Sequence, residues 1–267
     1  MKRKISFIGV GKMGGAFLER LVNAGFVPKG KVLACDINRG RLDELRQRLG
    51  IMISQDNEEG TRFGDIVVIA VMPKLVRSVL EEIRHEISES KIIISVAALV
   101  PIKTIESILL EKIGVVRVMP NIPSLVGSGF NLVCFGRFLK EQDKGFIRDM
   151  LAVWGEHREV NEDKMNLYTI ISAMGPTYFI PFLDTLVKFG VENGLSEAEA
   201  REAACLTLKG TAELVLKVPS PIEDVKNMIT SQPLKDKELE LKSLFMETLN
   251  RTMNELKIGS AKLASAK

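Results

Sequence analysis

Three glycines spaced G-x-G-x-x-G, Gly9, Gly11 and Gly14, lie between a short β-rich run, Ile5 to Val10, and apolar residues at helical spacing, Met13, Phe17, Leu18 and Leu21. The chemistry such a turn serves is anion binding. Glycine allows a tight bend and a close approach of backbone to a diphosphate, and the helix that follows turns its free N–H groups towards the charge. Lys12 and Met13 sit inside the turn and join the three glycines as candidate contacts. The next β-rich run, "KVLACD", ends at Asp36, near the ~20-residue offset at which a carboxylate meets an adenosine ribose. That acid favours NAD. Asn38, Arg39 and Arg41 follow at once, and Arg39 with Lys12 offers positive charge to the 2′-phosphate of NADP. The same arginines read equally well as the start of a solvated helix, so the cofactor expectation is NADP or NAD, leaning to NADP.

The elements that must hold these residues alternate. Further β-rich runs, "DIVVIAVMP" (65–73), "KIIISVAA" (91–98), "GVVRVMP" (114–120) and "NLVCFG" (131–136), are separated by amphipathic stretches such as "KLVRSVLEEI". Continuous apolar strands between helices predict a parallel sheet covered on both faces. Ligands bind at the carboxyl ends of such strands, which puts Val71, Met72, Ala97, Met119 and Asn121 along the crevice. From Asn161 onward strand signals vanish. A Gly175-Pro176 pair is placed to begin a helix, and Ser196 with Glu199 forms a capping-box pattern. The expected fold is α/β: a Rossmann-type doubly wound parallel sheet over 1–160, then an all-α dimerisation and substrate domain over 161–267. Helices this apolar need a partner surface, so a homodimer is expected, with Tyr178, Phe179, Phe182 and Leu183 among its contacts.

Composition narrows the function classes. The 267 residues are 46% hydrophobic and 27% charged, enough for a sizeable core. The net charge of +3 is spread over segments where acids and bases interleave, which argues against a nucleic-acid surface. Cys35, Cys134 and Cys205 are an odd count without ligand spacing, so neither a disulfide framework nor a metal site is expected, and the setting reads as cytoplasmic. Met1-Lys2-Arg3-Lys4 could open a secretory leader, but the apolar run after it stops at Gly9. No leader is expected, nor any apolar segment of the ~18–20 residues a membrane span requires. His85 and His157 lie among charged residues and read as surface groups. No catalytic acid–base pair stands out.

The stretches "FIGVGKMGGAF", "AVMP", "SVAALV", "RVMPNIPSLVGSG", "SAMGPTYFIPFLDTL", "GLSEAEA" and "LKGTAELVL" resemble the pyrroline-5-carboxylate reductase family over nearly the whole chain, and "RVMPNIP" at 117–123 is the most specific of them. The resemblance implies NAD(P)H-dependent reduction of the C=N bond of 1-pyrroline-5-carboxylate to proline. It matches Gly9, Gly11 and Gly14 to the phosphate loop and Asn57 to an asparagine near the adenosine ribose. Val71 and Ala97 match nucleotide and nicotinamide contacts, and Asn121 lies in the matching nicotinamide tract. It also implies a dimer, with higher assembly of dimers open.

The chain departs from the family pattern at Lys12 (asparagine there), Met72 (the lysine of "VKP"), Leu99 (glycine) and Met174 (a small residue). The largest departure is "TSQPLKDK" at 230–237, where the family has "SPGGTT", a loop that holds the substrate carboxylate. Thr230 and Ser231 survive and are the candidate catalytic pair. The glycines are lost, and Pro233 removes a backbone donor. Lys235 or Lys237 could replace the lost contacts, or both could simply begin a charged helix. Two alternatives stay open: a reductase of another small acid or imine, and a non-catalytic dinucleotide-binding paralogue.

Overall fold

The computed structural model describes residues 3–109 and 112–265; Met1 and Lys2, part of the segment weighed above as a leader, lie outside the described residues. β1 (Ile5–Ile8), β2 (Val32–Cys35), β3 (Met52–Ser54), β4 (Ile66–Ile69), β5 (Ile92–Ser95), β6 (Gly114–Met119), β7 (Gly129–Phe135) and β8 (Gly155–Glu159) form one sheet ordered β3-β2-β1-β4-β5-β6-β7-β8. The order reverses at β1, because β4 crosses back to its free side. That is the topological switch point at which doubly wound sheets bind nucleotides. Register aligns the carboxyl ends of four strands, Cys35, Ile8, Ile69 and Ser95, in one row, with Arg117 of β6 level with them two residues before its strand ends.

The helices are α1 (Lys12–Asn23), α2 (Arg39–Leu49), α3 (Asn57–Phe63), α4 (Val76–Ile83), α5 (Ile102–Leu109), α6 (Glu141–Ala152), α7 (Met165–Tyr168), α8 (Gly175–Glu192), α9 (Glu197–Lys217), α10 (Ile222–Asn227) and α11 (Glu238–Ser265). Strand residues alternate between the two faces. Ile5 and Phe7 join a core built with Phe17, Leu21, Leu42, Leu45 and Ile147 from α1, α2 and α6, whereas Ile8 joins Leu80, Ile83, Ile105 and Leu109 from α4 and α5. Both faces are therefore dry, as the unbroken apolar runs predicted.

Two elements differ from the sequence reading. β7 runs antiparallel to β6, not parallel. The connection between them holds only a short 3₁₀ segment at Ile122–Val126, and a parallel crossover requires a dozen or more residues. The expectation that no apolar segment reaches membrane-spanning length is also corrected. The helical run Glu162–Glu192 is long and apolar enough to cross a membrane by length and composition alone, with mean hydropathy 1.3 over its best window. Scattered polar residues such as Asn166, Thr169 and Ser172 hide this in the linear sequence.

Packing divides the chain between Met174 and Gly175, and the chain from Thr252 belongs with the first unit. The first unit extends past 160 because Met165 is fully buried among strand and helix residues of the sheet's second face. The second unit, Gly175–Arg251, is α8, α9, α10 and most of α11. Ser196 caps α9 as expected: its hydroxyl accepts from Glu199 N while its own N–H donates to Glu199 Oε2 at 2.9 Å. Few side chains of this unit are buried, and Phe179, Phe182 and Phe189 are each at least half exposed. An apolar surface of that size calls for a protein partner.

Candidate functional site

The glycine turn is built as a cradle. Gly9 has φ +88°, and a Cβ there would lie 2.8 Å from Val71 Cγ1 and 2.9 Å from the Ala70 carbonyl, so only glycine lets β1 and β4 end side by side. A Cβ on Gly14 would run into the Gly9 carbonyl oxygen; its absence lets α1 pack onto the strand end. Gly11 differs from both: a Cβ there would meet nothing within 4 Å. It N-caps α1 without a side-chain cap, and the N–H groups of Lys12, Met13 and Gly14 have no earlier helical carbonyl to bond. The open space over Gly11 and these first-turn donors fit a diphosphate. Arg41 braces the turn from beneath, donating to Val10 O at 3.1 Å and pairing with Glu44 at 2.8 Å and Glu19 at 3.4 Å. The arginine is thus committed to the fold.

Beside the cradle, Gly9, Gly11, Asp36, Ile37, Asn57, Val71, Met72 and Leu75 line a cleft of about 280 Å³. Asp36 holds its walls together: one carboxylate oxygen accepts from Val10 N at 2.8 Å and the other from Asn38 N at 2.9 Å. Asn57 stands at the start of α3, which Asp56 caps, and donates to Glu82 at 3.0 Å. Arg39 is exposed and pairs with Asp43 at 3.1 Å, one turn along α2. Lys12 is exposed and makes no ion pair with any described residue. Ile37 is 86% exposed and Met72 57%. With Leu75 they offer an apolar seat for a purine. Sequence reasoning missed Ile37 and Leu75, and the one signal available was an apolar residue directly after a strand-ending acid. Beneath the cleft, burial, reinforced by Glu59 and Asp56, pushes the Cys35 thiol up to about 12, so it is inert.

Past the switch point, the loops after β5 and β6 shape the other half. Ala97 is buried and donates to Ser95 Oγ at 3.4 Å. Leu99 has φ +67°, so it keeps a glycine-like conformation at a cost of roughly 1–2 kcal/mol. Asn121 faces inward: its Oδ1 accepts from Phe130 N at 3.0 Å and its Nδ2 donates to Ser172 Oγ at 3.4 Å. Ser172 in turn donates to Phe130 O at 3.1 Å. Ser172 lies in a π-helical turn, Thr169–Ala173, a feature that recurs at functional sites. The asparagine therefore ties the β6–β7 loop to that turn, and Ser172 is a partner the sequence reading did not single out.

Thr230 and Ser231 lie on the second unit, exposed, in the loop between α10 and α11. Gln232 takes over the end of α10, its Nε2 donating to Ile229 O at 2.9 Å and Lys226 O at 3.2 Å. Ser231, Gln232, Pro233 and Lys235 line a cavity of about 310 Å³. Lys237 is paired with Glu240 at 3.0 Å and Lys226 with Glu238 at 3.0 Å, whereas Lys235 makes no ion pair among the described residues. Of the two lysines the sequence offered, Lys235 is the one with its charge to spare.

Comparison with known proteins agrees with this layout. Residues 4–99 match the family model described as NADP oxidoreductase coenzyme F420-dependent, and residues 162–233 match pyrroline-5-carboxylate reductase dimerisation. The pyrroline-5-carboxylate reductase of Methanosarcina acetivorans is 34% identical over 86% of this chain and 85% of its own. Pyrroline-5-carboxylate reductase 1 of Bacillus subtilis is 30% identical over 86% of this chain and 78% of its own. Among solved structures, Plasmodium falciparum pyrroline carboxylate reductase with NADP bound superposes with TM-score 0.85 and 30% identity, covering 99% of this chain and 100% of that one. The Coxiella burnetii pyrroline-5-carboxylate reductase gives 0.80 and 25%, covering 96% and 98%. Both halves of the chain match, in order and almost end to end. The chain belongs to the pyrroline-5-carboxylate reductase family.

Proposed function

We propose that this protein reduces 1-pyrroline-5-carboxylate to proline with NADPH, the closing step of proline synthesis. The observation that carries the reading is the match of the cofactor half and the dimerisation half together to reductases of this name. When bound, the dinucleotide supplies the hydride that adds to the ring carbon of the C=N bond. The chain's own residues bind and orient. First-turn N–H groups of α1 hold the diphosphate, and Asp36 keeps the glycine turn against β2. Lys12 and Arg39 meet the 2′-phosphate; Arg39 can leave Asp43 for it because an exposed pair one turn apart is worth only about 0.3–0.5 kcal/mol. Ile37, Met72 and Leu75 take the adenine face.

The substrate end asks for less chemistry. A protonated ring nitrogen makes the C=N carbon electrophilic, so alignment and exclusion of water supply much of the acceleration. Thr230 and Ser231 donate to the substrate carboxylate, with Lys235 supplying positive charge to offset it in place of the lost glycine nest. The working unit is a homodimer formed through the apolar faces of α8 and α9, with larger assemblies built from it, in the cytoplasm. One observation favours a second reading, reduction of another small cyclic imine: Pro233 and Gln232 occupy the substrate loop, and Gln232 is turned onto α10.

Expression in a proline-requiring bacterium without its own reductase tests the proposal. Growth without proline is expected. Absence of growth despite soluble, dinucleotide-binding protein would shift the assignment to another imine.

A further inference from the structure

Arg117 is a cation buried in the middle of the sheet, with its side chain only 4% exposed. It lies on β6, level with Ser95 at the end of β5. Its Nη1 donates to Glu162 Oε1 at 2.9 Å. The same oxygen accepts from Ile102 N, the first residue of α5, at 2.9 Å. Nε and Nη2 of Arg117 find no partner among the described residues, so Glu162 is the carboxylate on which the guanidinium depends.

This arrangement encloses one loop. The segment between β5 and α5 starts where Ala97 N–H donates to Ser95 Oγ and ends where Ile102 N–H donates to Glu162. Between them stands Leu99 with its positive φ, its side chain against α11, where a Cβ on Gly259 would lie 3.2 Å from Leu99 Cδ1. A loop held in a disfavoured conformation needs fixed ends. In a doubly wound sheet the loops after β4, β5 and β6 form the half that takes the second mononucleotide.

We propose that Arg117 and Glu162 are a positioning pair for the nicotinamide: Arg117 anchors Glu162, Glu162 caps α5, and the capped helix holds the Ala97–Leu99 loop in place. Neither residue touches the cofactor. The proposal rests on the reductase reading and gives a role to Arg117, which opens the "RVMPNIP" stretch, and to Glu162, which lies in none of the stretches quoted above.

The test uses the full-length protein and Arg117→Met, which removes the anchor of Glu162, itself partly exposed, and so frees it to leave Ile102. Calorimetry compares NADPH with 2′-phospho-ADP-ribose, which carries the same adenosine and diphosphate without the nicotinamide. Kinetics then gives kcat and KM for NADPH with 1-pyrroline-5-carboxylate. The expected result is unchanged affinity for the fragment, weaker NADPH binding, and kcat lowered by about tenfold to a hundredfold, as for a reactant displaced by about 1 Å. Arg117→Lys should recover part of the loss. Unchanged NADPH affinity and kcat with only a lower melting temperature would overturn the proposal, as would equal weakening of both ligands. If Arg117→Met does not fold, Arg117→Lys and Glu162→Gln carry the same comparison. Glu162→Gln should be the less stable, because it leaves a buried guanidinium uncompensated. Should the wild type fail to oxidise NADPH with this substrate, the reductase reading falls, while the difference between NADPH and the fragment still decides the positioning claim.

Discussion

Replacing Gly11 by valine separates the needs of the fold from the needs of the cofactor. Gly11 has φ −61° and ψ −156°, outside the left-handed region that demands glycine, and a Cβ there meets nothing within 4 Å. The cost to folding is therefore limited to a poorer N-cap, at most about 1 kcal/mol. The same side chain fills the space over the first turn of α1. Two charge-assisted hydrogen bonds lost from the diphosphate, at about 1.5–3 kcal/mol each, amount to about 3–6 kcal/mol. At about 1.4 kcal/mol per power of ten, the dissociation constant for NADPH rises by roughly two to four powers of ten. Gly14→Ala is the control in the opposite sense, since its Cβ collides with the Gly9 carbonyl and forces α1 off the strand. Calorimetric titration with NADPH and thermal melting of both variants make the comparison. Parental affinity in Gly11→Val, or a melting temperature as low as that of Gly14→Ala, would refute the reasoning.

Thr230→Val with Ser231→Ala should raise KM for the substrate by about two to four powers of ten, from two hydrogen bonds to a carboxylate at about 1.5–3 kcal/mol each, while NADPH affinity stays level; intact turnover and KM would leave the loop a mere hinge. Phe182, 59% exposed on α8, should hold the oligomer together, so Phe182→Asp is expected to give monomers by light scattering, and a persistent oligomer would place the contact elsewhere. Cys35 is raised from 9.0 to about 12 chiefly by burial. The folded state keeps this proton after the unfolded chain has lost it, so its contribution is complete below pH 9 and declines towards pH 12, with a slope near 1.4 kcal/mol per pH unit. Urea unfolding across that range should show a shallower decline in Cys35→Ala, and identical slopes would contradict the burial argument.

Much of this was legible in the sequence because it rests on local rules. The glycine turn announces itself through residue type, spacing and the strand and helix around it, and its three glycines meet three different constraints. The Ser196–Glu199 box was readable for the same reason. What escaped depends on contacts between distant segments. β3 is three residues long with Met52 exposed, too short to leave a pattern. β8 reads "GEHRE", a polar edge strand without an apolar run. The direction of β7 is invisible to hydropathy, since an apolar run looks alike either way. Asn121 was found as a residue, but its inward bonds to Phe130 and Ser172 come from the fold. Arg117 and Glu162 are a further case, because nothing near either of them in the chain says that they meet.

The most direct test of the account is a spectrophotometric assay of the purified, full-length protein with NADPH and 1-pyrroline-5-carboxylate, with the product identified by mass spectrometry. The account predicts that NADPH is consumed only when the substrate is present, in equal amounts with the proline formed, and that Gly11→Val abolishes the reaction at cofactor concentrations that saturate the parent. NADPH bound tightly but never oxidised, with no proline formed, would contradict it.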